Sequence, residues 1–278
     1  MNDVAGSGAG ALLEVRDVTR EYRLPRPTWR APVPVVHALA GVSLDVCTGE
    51  RLGVVGESGS GKSTLARLLV GLDRPTSGAV RYEGIDISRL PEKELRFLRR
   101  DVQLVFQDPM GSLNPRMTVR RIVQEPLKGL AVAGDHDARV DELLDAVGLP
   151  RGAADRYPHQ FSGGQRQRIA IARALAPHPQ VLVADEPVSA LDVSVRAQVL
   201  NLLLDLVDEL ALTLVFVSHD LGVVRFLCDR IAVLHRGRLV ESGPTERVYD
   251  APVQPYTKAL LAAVPTLEGG LPPLVDPR

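Results

Sequence analysis

Residues 56–64 match the phosphate-binding pattern G-x-x-x-x-G-K-[ST] and read Gly56-Glu57-Ser58-Gly59-Ser60-Gly61-Lys62-Ser63-Thr64. The apolar run Leu52–Val55 comes directly before this pattern and predicts a buried strand. Ser63–Leu69 comes directly after its glycines and predicts the opening of a helix. The pattern therefore lies between a strand and a helix, which is the context in which it binds phosphate.

This glycine-rich run combines three features that suit a triphosphate. Its glycines allow positive φ angles and let backbone N–H groups crowd around phosphate oxygens. The N-terminus of the following helix adds a partial positive charge. Lys62 brings a full charge to the β- and γ-phosphates, and the Ser63 hydroxyl is a ligand for Mg²⁺. The alternative is a plain turn before a helix, which we disfavour because other parts of the chain supply matching groups.

Length and charge narrow the classes of partner. The chain has 278 residues, 45% of them hydrophobic, which is enough for one large core with a subdomain. Its 33 Lys and Arg against 34 Asp and Glu give a net charge of −1, which argues against a nucleic-acid partner. Met1–Gly10 lacks the pattern of a signal peptide, and no apolar run is long enough to span a membrane. Cys47 and Cys228 are expected to be reduced core residues of a cytosolic protein.

The N-terminal part predicts a strand followed by an irregular loop. Leu12–Val18 alternates apolar and charged residues, which is typical of a strand. Tyr22 follows it, and its ring could stack on a purine or simply pack at the strand end. Arg23–Val36 carries four prolines around Trp29, so we expect a loop insertion, whose role the sequence does not reveal.

Strands and helices alternate through the next part of the chain. Strands are predicted at Val42–Val46, Gly78–Glu83 and Val102–Phe106, with a charged helix at Glu92–Arg100. A later hairpin is predicted around Arg236-Gly237. This alternation favours an α/β core with a largely parallel sheet.

The segment from Val119 to about Ala176 predicts helices and no strand, so we expect a helical subdomain inserted into the α/β core. Within it, Ser162 is a good N-cap for a helix that begins with Gly163 and Gly164. Such a helix N-terminus is a second anion-binding end. The alternative is only a capped helix after a glycine hinge, and the residues alone favour that simpler interpretation.

Two adjacent carboxylates follow another buried strand. Val181–Ala184 is fully apolar, and Asp185 and Glu186 stand at its carboxyl end, where ligands of open α/β sheets bind. Neighbouring strand residues point to opposite faces, so one carboxylate can hold Mg²⁺ while the other faces an attacking water. A solvated acidic turn is the weaker alternative, because such a pair is costly to leave unpaired. His219 follows the next predicted strand, Thr213–Val217. A lone histidine is more often structural than catalytic, but its place at a strand end, like that of the acidic pair, favours a role at the same edge.

These motifs together resemble those of the ATP-binding subunits of ABC transporters. The specific order is Phe161-Ser162-Gly163-Gly164-Gln165, then Asp185-Glu186, then Ser189-Ala190-Leu191-Asp192, then His219. The resemblance covers about residues 12–264. Within the family, Tyr157–Arg168 and Pro255-Tyr256-Thr257-Lys258-Ala259-Leu260 are most similar to the ATPases of peptide and nickel importers.

The resemblance implies a fold and a set of roles. The fold is an α/β phosphate-loop core with a mostly parallel sheet, an N-terminal antiparallel β part and an inserted helical subdomain. The implied division is residues 11–110 and 178–244 for the core, 111–177 for the helical subdomain and 245–278 for a C-terminal tail. For the nucleotide, the resemblance implies adenine stacking by Tyr22, phosphate binding by residues 56–64 and Mg²⁺ binding by Ser63, Asp185 and Gln107. For hydrolysis, it implies that Glu186 is the general base and that His219 contacts the γ-phosphate. Between subunits, it implies contact with the nucleotide of the opposite subunit for Ser162, Gly163, Gly164 and Gln165, and communication across the dimer for Asp192.

Partners and location also follow from the resemblance. It implies an importer of peptides or a related solute such as nickel, driven by ATP with Mg²⁺. The partners would be a second ATPase subunit, identical or related, two integral membrane permeases and, indirectly, an extracytoplasmic solute-binding protein. The chain would lie on the cytoplasmic face of the membrane. A soluble ABC-type ATPase is the alternative, but one cassette, no sustained heptads and a net charge of −1 argue against it.

Overall fold

The computed structural model describes residues 10–26 and 32–263. The strands are β1 (Ala11–Arg23), β2 (Val35–Cys47), β3 (Arg51–Val55), β4 (Ser77–Tyr82), β5 (Ile85–Asp86), β6 (Val102–Val105), β7 (Val181–Asp185), β8 (Thr213–Ser218), β9 (Arg230–His235) and β10 (Arg238–Pro244). The α-helices are α1 (Lys62–Leu69), α2 (Arg96–Asp101), α3 (Pro109–Ser112), α4 (Val119–Gly129), α5 (His136–Ala146), α6 (Gly163–Leu175), α7 (Val193–Glu209), α8 (Leu221–Leu227), α9 (Thr245–Asp250) and α10 (Pro255–Ala262).

The central sheet has six strands in the order β10-β9-β3-β8-β7-β6. Its strands β3, β6, β7, β8 and β9 pair in parallel, and β10 pairs antiparallel with β9. The predicted hairpin is therefore present, and its two turn residues, Arg236 and Gly237, both have positive φ angles of 48° and 76°. Such a turn matches the twist of the strands that it joins. The expected α/β core with a mostly parallel sheet is confirmed.

The parallel strands are buried on both faces, which explains their unbroken apolar sequence. Along β7, Val181 and Val183 belong to one hydrophobic core, whereas Leu182 and Ala184 belong to a second one on the other face. Successive side chains of a strand point to opposite faces, so each strand of this kind serves both cores. The two cores hold the sheet from both faces, and the residues that follow the carboxyl ends of its parallel strands therefore lie at one edge of a rigid sheet.

The N-terminal antiparallel part is a second sheet of four strands in the order β2-β1-β4-β5. The predicted strand Leu12–Val18 is longer than expected, because β1 continues to Arg23 and places Tyr22 opposite Val36 on β2. The irregular stretch begins after β1, and Trp29 lies outside the described residues. The prediction of a core position for Cys47 is wrong: it is exposed at the end of β2, whereas Cys228 is buried.

Between β6 and β7 the described chain is helical, as the sequence predicted. Helices α4, α5 and α6 pack through Ile122, Leu127, Val140, Leu144 and Ile169, which are all buried in one core. Part of the predicted helix Glu92–Arg100 is different, since a 3₁₀ turn, Glu92–Glu94, precedes α2. The exact division into core, helical subdomain and tail stays a prediction.

None of the helices within residues 10–26 and 32–263 combines the length and the apolar composition that crossing a bilayer would require.

Candidate functional site

The parallel order brings three predicted motifs to one edge of the sheet. Strands β3, β8 and β7 are neighbours, and their carboxyl ends lead into Gly56, His219 and Glu186 respectively. Ligands of open α/β sheets bind at this edge. Motifs that lie more than 100 residues apart in sequence are thus brought side by side by the strand order.

Glycine is required at two positions of the phosphate loop, residues 56–64. Gly56 has a φ of 150°, and a Cβ atom there would collide with the carbonyl oxygen of Leu234. Gly61 has a φ of 106°, and a Cβ atom there would collide with the carbonyl oxygen of Ala38. The loop is therefore enclosed by β9 and β2, and it leads directly into the N-terminus of α1.

Lys62 is folded back over its own loop. Its Nζ donates to the carbonyl oxygens of Gly56 at 2.7 Å and Glu57 at 3.0 Å, and the residue is only 5% exposed. Burial lowers the pKa of Lys62, while the negative charges of Glu186 and Asp185 act in the opposite direction. A phosphate beside this ammonium group would favour its charged form and would also replace the lost solvation.

Asp185 and Ser63 form a direct pair. The Ser63 hydroxyl donates to Asp185 Oδ1 at 3.0 Å across 122 residues of sequence. Burial raises the pKa of Asp185; the bond from Ser63 opposes this rise, and the nearby charge of Glu186 adds to it. A carboxylate and a hydroxyl are oxygen ligands of the kind that Mg²⁺ prefers. The pair therefore fits a Mg²⁺ ion, which would also relieve the cost of the buried charge.

Glu186 directly follows β7, and its carboxylate has different partners from that of Asp185. Its Oε2 accepts from Gln107 Nε2 at 3.1 Å, and its Oε1 lies 3.2 Å from His219 Nδ1. Its backbone has a φ of 46°, a left-handed conformation uncommon for a residue with a side chain. The backbone N–H of Glu186 donates to the carbonyl oxygen of Val217 at 2.9 Å, and the carbonyl oxygen of Glu186 accepts from the Ser189 hydroxyl at 3.1 Å. The carboxylate is therefore held on both oxygens and from its backbone.

A cavity of about 410 Å³ opens over the phosphate loop. It is lined by Tyr22, Val36, His37, Ala38, Ser58, Gly59, Gly61, Lys62, Ser63, Thr64, Gln107 and Glu186. The loop also contains the Ser60 hydroxyl, which is buried without a hydrogen-bond partner. A cradle closed to any larger residue, a buried cation and an unpaired hydroxyl fit a bound polyphosphate, so the residues present suit ATP with Mg²⁺.

Tyr22 is one of the residues that line this cavity. The Tyr22 hydroxyl donates to Asp73 Oδ2 at 2.6 Å, and the Arg20 guanidinium lies 4.5 Å from the centre of the ring. Asp73 also accepts from Arg20 Nε at 2.9 Å, so the three side chains fix one another. Sequence reasoning found Tyr22 but missed Asp73 and His37. Their places depend on strand pairing and on the turn after α1, which carry no local motif.

The other predicted residues lie away from the cavity. Ser162 caps α6: its hydroxyl accepts from the Gln165 N–H at 3.3 Å, and the Gln165 side chain accepts from the Ser162 N–H at 3.0 Å. The predicted N-cap is therefore present. Gly164 faces Val195, whose side chain would collide with a Cβ atom there. Asp192 caps α7 by accepting from the Val195 N–H at 3.0 Å. None of these residues is among those that line the cavity over the phosphate loop.

Comparison with known proteins decides the family. Residues 39–189 match the family model for the ABC transporter, and residues 240–276 match that for the oligopeptide/dipeptide transporter, C-terminal region. The chain belongs to the ABC transporter family. This ABC protein is an ATPase, as the sequence predicted.

Curated relatives and solved structures extend the match over nearly the whole chain. The ABC protein is 49% identical to the oligopeptide transport ATP-binding protein AppF of Bacillus subtilis, over 91% of this chain and 78% of that protein. It is 46% identical to the oligopeptide transport ATP-binding protein OppF of Lactococcus lactis, over 92% of this chain and 81% of that protein. The dimeric ATP-binding cassette MJ0796, solved after hydrolysis with ADP and Pi, superposes with a TM-score of 0.74 at 34% identity, over 84% of this chain and 98% of that chain.

Proposed function

We propose that this ABC ATPase energises the import of peptides across a membrane by hydrolysing ATP with Mg²⁺. The observation that carries the choice of substrate is the match of residues 240–276 to the C-terminal region of oligopeptide/dipeptide transporters, which is separate from the match to the ATPase cassette. The names of the relatives support the same substrate class. Nickel import and a soluble role have no comparable observation in their favour.

In this proposal the phosphate loop binds the β- and γ-phosphates of ATP. Lys62 exchanges its bonds to Gly56 and Glu57 for the more strongly charged phosphate oxygens. Loop N–H groups and the N-terminus of α1 add further positive potential. Tyr22, fixed by Asp73, offers its ring to the adenine. The binding energy comes from groups that are already arranged before ATP arrives.

Ser63 and Asp185 would hold Mg²⁺, with Gln107 near it on the side of Glu186. When bound, the ion supplies charge neutralisation of the phosphates during phosphoryl transfer. Gln107 reaches both Glu186 and, at 3.4 Å, the Ser189 hydroxyl, so it can orient the carboxylate that works on water.

Glu186 is proposed as the general base. It would accept the proton of the water that attacks the γ-phosphorus, and the contacts from Gln107 and His219 hold both of its oxygens at the site edge. His219 follows β8 and is exposed, so its ring could turn from Glu186 to the γ-phosphate. A positioned general base contributes about 10²- to 10⁴-fold to such a reaction.

A second ATPase subunit would complete each site. The helix end at Ser162 and the cap at Asp192 lie outside the cavity of their own chain, so they are available to the nucleotide of a partner. The dimeric state of the similar cassette MJ0796 supports this arrangement. Loss of the γ-phosphate would weaken the contact, giving a ligand-controlled two-state element. Two membrane permeases and a solute-binding protein would then use the motion, with this chain at the cytoplasmic face.

An uptake assay in the cell of origin tests the proposal. Cells that carry Lys62→Ala in place of the natural chain should lose accumulation of a radiolabelled oligopeptide, while accumulation of labelled free amino acids is kept. Nickel uptake measured in the same cells separates the second solute. Unchanged peptide uptake with lost nickel uptake would move the assignment to nickel, and unchanged uptake of both would remove the import role.

A further inference from the structure

The C-terminal segment touches the phosphate loop directly. The backbone N–H of Glu57 donates to the hydroxyl oxygen of Tyr256 at 3.1 Å, a contact that joins residues 199 positions apart. The Tyr256 ring lies flat on His235, with 3.8 Å between ring centres and 15° between the planes. Tyr256 thus connects β9, through His235, with Glu57, which follows the first glycine of the phosphate loop.

The helix that carries Tyr256 is itself firmly attached. Glu241 on β10 accepts from the backbone N–H groups of Val253 at 2.8 Å and Gln254 at 3.0 Å, just before α10 begins. Tyr256, Leu260 and Leu261 pack against the larger hydrophobic core. The hydroxyl of Tyr256 is therefore presented to the loop by a fixed support rather than by a free side chain.

Glu57 is consequently held on both of its peptide groups. Its carbonyl accepts from the Ser60 N–H at 3.1 Å and from Lys62 Nζ at 3.0 Å, while its N–H is held by Tyr256. The loop has a second outside anchor, because the Gly237 N–H donates to the Ser60 carbonyl at 2.9 Å. Both of these hydrogen bonds to the loop backbone come from the chain from β9 onward.

We propose that Tyr256 is a positioning residue for ATP binding: it fixes the peptide between Gly56 and Glu57, so that the phosphate loop is already held in one conformation when ATP arrives. The inference rests on the proposed role of the phosphate loop. It gives the C-terminal segment, residues 240–276 of the oligopeptide/dipeptide match, a function inside the ATP site. Holding a loop in its binding conformation raises affinity by lowering the cost of ordering it.

The test compares Tyr256→Phe with a matched control. Tyr256→Phe keeps the ring on His235 and removes only the acceptor of the Glu57 N–H. The control is Tyr249→Phe, which also removes a tyrosine hydroxyl from the C-terminal segment, but one that donates to the Leu221 carbonyl and not to the loop. ATP affinity by calorimetry, KM and kcat for ATP, and thermal unfolding without nucleotide are measured for both, with Lys62→Ala as a reference.

For Tyr256→Phe we expect the Kd and KM for ATP to rise about two- to tenfold, the effect of one hydrogen bond. The kcat at saturating ATP and the unfolding temperature should stay near the wild-type values. Amide exchange at Glu57 should become faster in Tyr256→Phe and stay unchanged in Tyr249→Phe. Tyr249→Phe should leave KM unchanged, which separates the loop contact from general loss of a hydroxyl.

The outcomes distinguish this inference from the proposed function. If Lys62→Ala loses ATP while Tyr256→Phe binds it as well as the wild type, Tyr256 has no positioning role. An equal rise of KM in both tyrosine variants, or a fall in unfolding temperature that accounts for the rise, would also overturn the inference. If Lys62→Ala itself binds ATP normally, the role of the phosphate loop fails first.

Discussion

The phosphate loop and the helix end at Ser162 are both glycine-rich helix N-termini, yet they are built differently. Around the phosphate loop, the cation of Lys62 is 5% exposed and Asp185 is 7% exposed, and each has a partner within the same chain. At α6, Ser162 and Gln165 are exposed and cap the helix through two reciprocal hydrogen bonds. One region has a cavity, carboxylates and a buried charge, whereas the other has only a capped helix.

This contrast fits the different tasks that we propose for the phosphate loop and for the helix end at Ser162. The phosphate loop must hold ATP before anything else happens, so its groups are arranged and partly desolvated in advance. The helix end at Ser162 must engage and release, and an exposed, locally satisfied cap can do so with little reorganisation. Variants that act on one region and spare the other are the way to test this division.

The largest expected effect is a loss of ATP hydrolysis on substitution of Glu186, the proposed general base beside the phosphate loop. Glu186→Gln keeps the shape and the contacts to Gln107 and His219 but cannot accept a proton. Steady-state ATP hydrolysis should fall about 10²- to 10⁴-fold while ATP affinity by calorimetry is kept. Glu83→Gln is the control, because Glu83 has the same left-handed conformation, φ 49°, in an exposed turn far from the cavity. An unchanged rate in Glu186→Gln would refute the assignment of the base.

A smaller loss of ATP hydrolysis is expected from substitutions of Ser162. Ser162→Gly and Ser162→Ala both remove the hydroxyl that would meet the partner's nucleotide, so each should hydrolyse ATP about 10- to 100-fold more slowly, as for one bond to a charged group. Glycine is a tolerable N-cap and alanine a poor one, so only Ser162→Ala should lose about 1 kcal/mol of stability. ATP binding to the separate subunit should stay unchanged in both.

Ser162→Thr completes this series, because it keeps both the hydroxyl and the cap. Rates are measured as a function of protein concentration, and stability by denaturant unfolding. A rate that follows stability across the series would show that Ser162 acts only as a cap. Weaker ATP binding to the separate subunit would show that the two regions are not independent.

Within the phosphate-loop side, Tyr22 should affect binding and spare chemistry. Tyr22→Ala removes the ring, and stacking of a base on an aromatic side chain is worth about 1–3 kcal/mol. We expect about a tenfold rise in the Kd for ATP, with turnover at saturating ATP unchanged. Tyr22→Phe keeps the ring and loses the hydrogen bond to Asp73, so its Kd for ATP should lie between those of the wild type and Tyr22→Ala. Loss of turnover at saturating ATP would rule out stacking as the role of Tyr22.

Much of the phosphate-loop side could be predicted from sequence, because its signals are local. The run Val181–Ala184 is fully apolar since both faces of β7 are buried, and the loop glycines are required by close backbone contacts. The sequence also predicted that Asp185 and Glu186 lie at the carboxyl end of a buried strand, where β7 ends. Each of these features is decided within a few residues of the motif itself.

The remaining features depend on contacts that no local pattern encodes. Tyr256 meets Glu57 only because α10 docks beside the hairpin turn, and Asp73 meets Tyr22 only through the turn after α1. Cys47 was wrongly placed in the core because Val42, Leu44 and Val46 before it are apolar, whereas the side of the strand end that it occupies is set by the pairing of β2 with β1. Long-range packing decides all three.

The smallest expected effect concerns the stability of the phosphate-loop side. Asp185 keeps a raised pKa because it is buried, so its ionised form costs stability as long as no cation is bound. Asp185→Asn keeps an acceptor for the Ser63 hydroxyl and removes the charge. Without nucleotide and Mg²⁺ at neutral pH, it should be more stable by about 1 kcal/mol, or about 2–4 °C in Tm.

The pH dependence of this gain separates charge from packing. Because the folded protein holds the Asp185 proton more tightly than the unfolded chain, wild-type stability falls as pH rises from the ordinary value of the carboxyl through its raised pKa. The advantage of Asp185→Asn should therefore be full at pH 7 and vanish as pH falls through that window. Asp101→Asn, at a buried carboxylate paired with Arg100 at 2.8 Å, should give no gain at either pH. If the stability gain of Asp185→Asn persisted in acid, the gain would come from packing. The buried carboxylate of Asp185 would then not carry a charge whose cost Mg²⁺ relieves.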